Sequence, residues 1–196
     1  MKKRSIKSMK KSFYYKPVVI AFFLLILQSI NAKAQCKFHV DLDYHYYFGL
    51  AETTNRGPHT KTRSDSNMGG NSLTLAARYD VHPDISVGVG VGLARYTQGA
   101  FNTLPIYATL RYKPIKKMKD AYVFTDLGYA IESKKDDFTQ GALFNLGVGY
   151  TKMFAKHFGV NFQLGYNLKT FSYPYGDTPA LKATRHSVIF GVGLTF

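Results

Sequence analysis

Cysteine and tryptophan are nearly missing from this 196-residue sequence, which has one Cys and no Trp. A single thiol excludes a disulfide framework and every metal site built from several cysteines. Charged residues are also few, at 19%, whereas aromatic residues reach 15% and glycine occurs 17 times. This composition excludes a disordered chain and a coiled coil. After Cys36 no apolar run is long enough for a transmembrane helix, so a membrane crossing there would need strands.

Acidic residues are scarce as well, with 12 against 26 basic ones and a net charge of +14. Eight of the basic residues and none of the acidic ones fall within residues 1–34. The remainder carries 18 basic and 12 acidic residues, so its net charge is only +6. Such a mild excess gives no support to a nucleic-acid-binding protein.

The first 34 residues have the layout of an export signal. A stretch rich in Lys and Arg precedes a short apolar core, and a small-x-small cleavage site follows. We therefore predict a cleaved signal peptide over residues 1–34 and a mature domain over residues 35–196. The alternatives are an uncleaved anchor, which the cleavage site disfavours, and a lipoprotein acylated at Cys36. The second is disfavoured because Lys33 stands where a lipoprotein signal has a branched apolar residue.

Residues 38–50 alternate without an error between apolar or aromatic side chains and mostly polar ones. Alternation with a period of two places the two sets on opposite faces of one strand. Seven further segments repeat the pattern, at 72–79, 85–96, 104–112, 121–131, 142–151, 158–168 and 186–196. Eight strands in a chain of this length match the smallest closed membrane barrels.

Two kinds of barrel fit this pattern, a secreted lipocalin-like barrel with its apolar face inward and a membrane barrel with that face outward. Three features favour the membrane barrel. Glycine is concentrated on the polar face, charges of both signs lie on that face, and the apolar strand faces end in aromatic residues. The predicted aromatic girdles contain Phe38, Tyr79, Tyr112, Tyr150 and Phe158 at one rim, and Tyr129 and Tyr166 at the other. We therefore predict an all-β fold, a closed eight-stranded antiparallel transmembrane barrel with up-and-down order.

The connections between these strands alternate between the two ends of the barrel. Those predicted on the periplasmic side are 80–84, 113–120 and 152–157. Those predicted on the outside are 51–71, 97–103, 132–141 and 169–185. The first and last of the outer connections are long and polar, so we predict that they are displayed to the exterior.

The last strand, Ser187-Val-Ile-Phe-Gly-Val-Gly-Leu-Thr-Phe196, alternates apolar residues and ends in Phe. Together with Arg78-Tyr79, Gly88-Val-Gly-Val-Gly-Leu93 and Asp126-Leu-Gly-Tyr129, it resembles small outer-membrane barrel domains of the OmpA/OmpX-like family, in the versions common in Bacteroidetes-type bacteria. The resemblance covers residues 38–196 and implies residence in the outer membrane of a Gram-negative bacterium. It also implies insertion by the outer-membrane assembly machinery, with an assembly signal formed by Phe190, Val192, Leu194 and Phe196.

The polar face carries acids, bases and imidazoles that the barrel would bring into its lumen. The set is His39, Asp41, Asp43, His45, Arg78, Tyr107, Arg111 and Asp126. A hydrogen-bonded structural network is the favoured interpretation, because a buried charge without a partner is costly. An ion or proton path and a metal site are the alternatives, and we predict neither a metal nor another cofactor.

The sequence gives little support to an enzyme or to a nucleotide-binding protein. Gly88-x-Gly90-x-Gly92 lies within a strand and precedes no helix, which disfavours a phosphate loop. His186 and Ser187 are adjacent in a strand and point to opposite faces, which disfavours a nucleophile and its base. No catalysis is predicted, and a lipid A-modifying enzyme remains the weakest alternative.

The predicted function is therefore structural or interactive at the cell surface, with a narrow ion or small-solute channel as the alternative. The predicted partners are outer-membrane lipids, lipopolysaccharide and the assembly machinery, with the surface partner unknown. Loop cations that could meet lipopolysaccharide phosphates are Arg56, His59, Lys61, Arg63, Lys169, Lys182 and Arg185.

Overall fold

The computed structural model describes residues 37–55, 60–97, 101–132, 138–155, 157–175 and 178–196. The predicted signal peptide (1–34) lies outside the described residues. The elements are β1 (Phe38–Thr54), β2 (Thr60–Thr62), β3 (Gly69–His82), β4 (Ile85–Tyr96), β5 (Asn102–Tyr112), β6 (Ala121–Ile131), β7 (Gly141–Ala155), β8 (Phe158–Tyr175) and β9 (Thr178–Thr195). Within the ranges described, no helix is long and apolar enough to span a bilayer.

The eight long strands form one closed sheet. They pair antiparallel in chain order, and β9 returns to pair with β1. The closing ladder runs from Asp41 opposite Thr195 to Thr54 opposite Ala183. The short β2 pairs with residues 51–53 of β1 beyond the end of the β1–β3 ladder. The prediction of a closed eight-stranded antiparallel barrel with up-and-down order is confirmed.

The two ends of the barrel differ and are named here for what they carry. The terminal end holds the start of β1 at Phe38 and the end of β9 at Thr195. The hairpin end holds β2 and the tip of the β8–β9 hairpin. Strands connect at the terminal end by the segments after β3, β5 and β7.

The alternation of the sequence places apolar side chains outside and polar ones inside. Val89 and Phe162 on the outer face expose 65% and 53% of their surface, whereas Asp41 and Asn161 on the inner face expose none. Large apolar side chains are exposed on every one of the eight long strands. A soluble barrel would bury this face, so the molecule has the inside-out distribution of a barrel in lipid.

The seven aromatic residues predicted to form girdles all point outward, with exposures between 36% and 55%. At the terminal end Phe38 pairs with Tyr79, and the ring of Phe158 lies 5.7 Å from that of Phe196. Toward the hairpin end the Tyr129 hydroxyl donates to Gln140 at 3.1 Å, and Tyr166 hydrogen-bonds His186. Aromatic rings with polar tips suit the boundary between lipid and water.

The prediction of an outer connection over residues 169–185 is wrong. Instead β8 and β9 continue as a paired hairpin, from Lys169 opposite Arg185 to Tyr175 opposite Thr178. The prediction followed the apolar outer face, which stops at Leu168. Beyond the lipid-facing band a strand needs no apolar outer face, so the backbone pairing continues where the sequence pattern fades.

The same cause shortens two other predicted connections. In 51–71, β1 extends to Thr54, β2 follows, and β3 begins at Gly69. In 152–157, β7 extends to Ala155, which lies opposite Phe158 at the start of β8.

Candidate functional site

Four charged side chains form a cluster in the lumen near the terminal end. Asp41 accepts hydrogen bonds from Nε and Nη2 of Arg78, the second at 3.0 Å. Nη2 of Arg111 lies 3.1 Å from Asp41 Oδ2 and 3.3 Å from Asp43 Oδ2. All four side chains are buried, so the carboxylates and guanidinium groups offset each other's loss of hydration.

Strand order explains how residues far apart in the sequence meet in this cluster. Asp41 and Arg78 lie on the adjacent strands β1 and β3, whereas Arg111 reaches across from β5. Nη1 of Arg78 also donates to Ser86 Oγ at 2.9 Å. The guanidinium carbon of Arg111 lies 4.7 Å from the ring centroid of Tyr122, within range of a cation–π contact.

Amide side chains extend this cluster along the lumen. Asn161 Nδ2 donates to Asp43 Oδ1 at 3.1 Å, and Gln163 Nε2 donates to the Tyr122 hydroxyl at 3.2 Å. His45 Nε2 lies 2.7 Å from Gln163 Oε1. These contacts join β1, β6 and β8 across the interior of the barrel.

A second polar group lies around Asp126, on the opposite wall. Asn145 Nδ2 donates to Asp126 Oδ2 at 3.0 Å, and Asn167 Nδ2 donates to Asn145 Oδ1 at 2.7 Å. Tyr107 is buried nearby on β5, packed against Ala76 and Leu143. The predicted lumen residues of β5 and β6 thus belong to the interior.

The predicted residue His39 has a different position from the other seven. It lies at the rim of the terminal end, half-buried, with Nε2 2.9 Å from Asp80 Oδ2. The structure therefore separates His39 from His45, which binds Gln163 deeper in the lumen. Among the residues that the structure describes, no group of three His, Cys, Asp or Glu side chains is arranged to hold a metal ion.

Aromatic side chains fill the lumen toward the hairpin end. The rings of Tyr47 and Tyr96 stack with centroids 5.6 Å apart, and Phe171 meets Tyr96 edge-on at 4.9 Å. Phe101 stacks on Phe171, also at 4.9 Å. Ile189 is buried in the same cluster. We call this group the aromatic plug, because its rings are packed together inside the barrel.

An ion pair lies beside the aromatic plug. Nε of Arg185 donates to Glu52 Oε2 at 2.8 Å, and its Nη2 lies 2.6 Å from the same oxygen. The guanidinium carbon of Arg185 lies 5.5 Å from the Tyr96 ring and 5.4 Å from the Phe171 ring. Lys169, on the neighbouring strand, donates to the Gly141 carbonyl at 3.1 Å.

The prediction that Lys169 and Arg185 are loop cations is therefore wrong. Both are fully buried inside the barrel. The pairing of β8 with β9 continues past Leu168, so every second residue, including these two, still points inward. Of the other predicted loop cations, Arg56 and His59 lie outside the described residues. Arg63 donates to the Met68 carbonyl at 2.5 Å, and Lys61 and Lys182 are exposed.

The buried charges of the lumen balance. The buried acids that the structure describes are Asp41, Asp43, Glu52 and Asp126, and the buried Lys and Arg residues are Arg78, Arg111, Lys169 and Arg185. The formal charges are equal in number, and ion pairs join Asp41, Asp43 and Glu52 to Arg78, Arg111 and Arg185. Such a network is costly to disturb, because removal of one partner leaves the other without compensation in a medium of low dielectric constant.

Two glycines show why small residues line this interior. A Cβ at Gly149 would lie 2.3 Å from Cζ of Tyr122, and one at Gly90 would lie 2.4 Å from Cζ of Tyr107. Each glycine therefore provides the space into which a tyrosine ring from another strand fits. The lumen is packed as a protein core in these layers.

At the terminal end the lumen opens into a cavity of about 90 Å³. Arg78, Arg111, Lys113 and Lys119 are among the residues that line it. The charged cluster forms its floor, and the aromatic plug lies beyond that.

No protein-family model matches the sequence. No curated protein matches it either. Among solved structures, the chain is similar to Neisserial surface protein A, at 16% identity, 82% coverage of this chain, 97% of that chain and a TM-score of 0.48. It is also similar to the outer membrane protein OprG from Pseudomonas aeruginosa, at 13% identity, with a TM-score of 0.41. The match covers 82% of this chain and 96% of OprG. The outer membrane protein AlkL is similar at 14% identity, with a TM-score of 0.42. The match covers 81% of this chain and 89% of AlkL. The assignment as a closed barrel rests on the strand pairing described above.

Proposed function

We propose that this chain is an integral outer-membrane β-barrel protein with a structural or surface-interaction role. The observation that carries the proposal is the outward apolar face, with residues such as Val89 and Phe162 exposed around a charge-balanced interior. Only a lipid environment makes that distribution favourable. The resemblance of the sequence to OmpA/OmpX-like domains supports the same location, with the terminal end in the periplasm and the hairpin end outside.

The interior supports a structural role over the alternative of a channel. The charged cluster around Asp41 and the aromatic plug around Tyr96 lie one above the other along the lumen. A general porin has 16 or more strands, whereas this barrel has eight. We propose that the lumen is sealed and that the hairpin end carries the interaction surface.

Absence of catalysis is part of the same proposal. Ser187 points into the lumen and is fully buried, whereas His186 points outward to Tyr166. The two side chains therefore do not form a nucleophile and base. The exposed cations Lys61, Arg95 and Lys182 at the hairpin end would meet lipopolysaccharide phosphates.

The proposed location and assembly are tested by a variant of the terminal residue. Replacing Phe196 with alanine should reduce the folded outer-membrane fraction severalfold, because Phe196 ends the proposed assembly signal. The measurement is outer-membrane fractionation followed by gel migration with and without heating. The matched control is Phe154→Ala, which also removes an exposed phenylalanine at the terminal end. Equal amounts of folded Phe196→Ala and wild-type protein would contradict the signal, and wild-type protein found outside the outer membrane would contradict the location.

The sealed lumen is tested by planar-bilayer recording. The wild-type protein should show no stepwise conductance, because the charged cluster and the aromatic plug fill the interior. Replacement of Arg111 by glutamine should leave this baseline unchanged. A steady single-channel current in the wild type that changes with Arg111→Gln would support the channel instead.

A further inference from the structure

A large apolar groove lies on the outer wall of the barrel, where strands from β6 through β9 to β1 contribute exposed side chains. Its volume is about 770 Å³. Val148, Phe162, Leu164 and Phe190 line its wall. This volume lies within the range of roughly 300–1,000 Å³ found for small-molecule sites. A convex cylinder has no such hollow by itself, so another element must form a raised border.

The border is the connection between β5 and β6 at the terminal end. Its turn is closed by the Met118 backbone N–H, which donates to the Ile115 carbonyl at 2.9 Å. Ile115 and Met118 line the groove and are about half exposed. Lys116 and Lys117, both exposed, occupy the two middle positions of the turn. The turn thus presents apolar side chains to the groove and ammonium groups at its tip.

A third cation lies beside the groove on the barrel wall. Lys152 is exposed and points outward, two residues beyond the groove residue Tyr150. Asp120 lies at the same end, where its carboxylate accepts a hydrogen bond from the Tyr150 hydroxyl at 3.4 Å. Three ammonium groups against one carboxylate leave the terminal end of the groove positive. Lys113 and Lys119 line the lumen mouth and belong to a different cavity.

We infer that this groove binds one anionic phospholipid of the periplasmic leaflet. Its acyl chain lies along the apolar wall, and its phosphate meets Lys116, Lys117 and Lys152. The inference rests on the proposed function, because a lipid reaches the groove only if the barrel spans the bilayer. Charge decides the lipid class, since a cluster of lysines at the end of an apolar surface favours an anionic over a zwitterionic headgroup.

The headgroup selectivity is tested by native mass spectrometry of the folded full chain in detergent. The probes are phosphatidylglycerol and phosphatidylcholine with identical acyl chains. The wild type should retain phosphatidylglycerol about tenfold more than phosphatidylcholine. In Lys116→Gln/Lys117→Gln/Lys152→Gln the ratio should fall to about one, because the charge that distinguishes the two headgroups is gone. The control Lys37→Gln/Lys113→Gln/Lys119→Gln removes three cations from the same end of the barrel that do not line the groove, and it should keep the wild-type ratio.

The acyl-chain half of the site is tested by filling the groove. Val148→Trp should lower retention of both lipids severalfold, because Val148 lines the groove. Val89→Trp is the matched control, since Val89 is also an outward valine, 65% exposed against 54% for Val148, and lies on β4 outside the groove. Equal effects of the two tryptophans, or of the two triple variants, would overturn the inference in favour of an unselective lipid layer. A protein dimer at the groove in place of bound lipid would overturn it as well.

Failure of this inference is distinguishable from failure of the proposed function. Outer-membrane fractionation followed by gel migration with and without heating reports first whether each variant has inserted and folded. A wild type that does not insert contradicts the proposed outer-membrane role. A wild type that inserts and shows no headgroup preference contradicts the lipid site alone.

Discussion

Replacement of Asp41 by asparagine should lower the free energy of unfolding by about 3–5 kcal/mol, the usual cost of breaking a buried ion pair. Asp41 is fully buried, accepts hydrogen bonds from Arg78 and forms an ion pair with Arg111. Asparagine has the same shape but no charge, so two guanidinium groups would lose their shared counter-ion. The expected cost is therefore electrostatic rather than steric.

The measurement for Asp41→Asn is guanidinium-induced unfolding in lipid vesicles, followed by circular dichroism because the chain has no tryptophan. Asp65→Asn is the control. Asp65 is an exposed aspartate between β2 and β3 whose carboxylate accepts hydrogen bonds from Thr62. Its replacement should cost at most about 1 kcal/mol, the worth of an ordinary hydrogen bond. A loss of similar size in both variants would show that the lumen cluster does not stabilise the barrel.

An arginine on the outer wall should be nearly as damaging as the loss of Asp41. Val89 lies four residues inside β4 and exposes 65% of its surface to the surroundings of the barrel. In a bilayer, Val89→Arg should destabilise the fold by about 2–4 kcal/mol, because a guanidinium near the middle of the hydrocarbon loses its hydration. In a soluble protein the same exposed position would tolerate arginine with little change.

The control for Val89→Arg is an outward valine that lies nearer the edge of the bilayer. Val81 is also outward, with 54% exposure, but lies next to the end of β3 at the terminal end. Val81→Arg should cost only about 0–1 kcal/mol, since its charge can reach the interface. Equal unfolding energies for the two arginine variants in vesicles would contradict a lipid-facing outer wall.

The barrel itself was predictable from the sequence because two different surroundings act on the two faces of each strand. Lipid requires apolar residues such as Val89 on one face, and a narrow interior requires small or paired polar residues such as Gly90 on the other. A period of two therefore persists over every segment inside the lipid band. The same rule placed Asp41, Asp43 and Arg111 on the inner face.

The hairpin end was not predictable in this way. Above Leu168 the outer face meets water, so it no longer differs from the inner face in polarity and the alternation disappears. Lys169 and Arg185 consequently looked like loop cations, although strand pairing continues and carries both into the lumen. The partner of Arg185, Glu52, was hidden for the same reason at the end of β1.

Individual contacts also escaped prediction because they depend on register. Asp41 and Arg78 are 37 residues apart, and Asn161 and Asp43 are 118 apart. The alternation along each strand places these residues on the inner face. Only the pairing register of the strands places them at the same level along the barrel axis. The apolar groove likewise depends on where the β5–β6 turn places Ile115 and Met118, which no periodicity encodes.

Orientation of the strands in the membrane is tested most directly with two neighbouring probes on β8. Cys36 is first replaced by serine, and a single cysteine is then introduced at Phe162 or at Asn161 and labelled with an environment-sensitive fluorophore. In vesicles, quenchers attached to acyl chains should quench the probe at position 162 strongly and leave the probe at position 161 nearly unaffected. Strong quenching at 161 together with protection at 162 would mean that the apolar face points inward. A water-soluble protein with neither position quenched would contradict a membrane location.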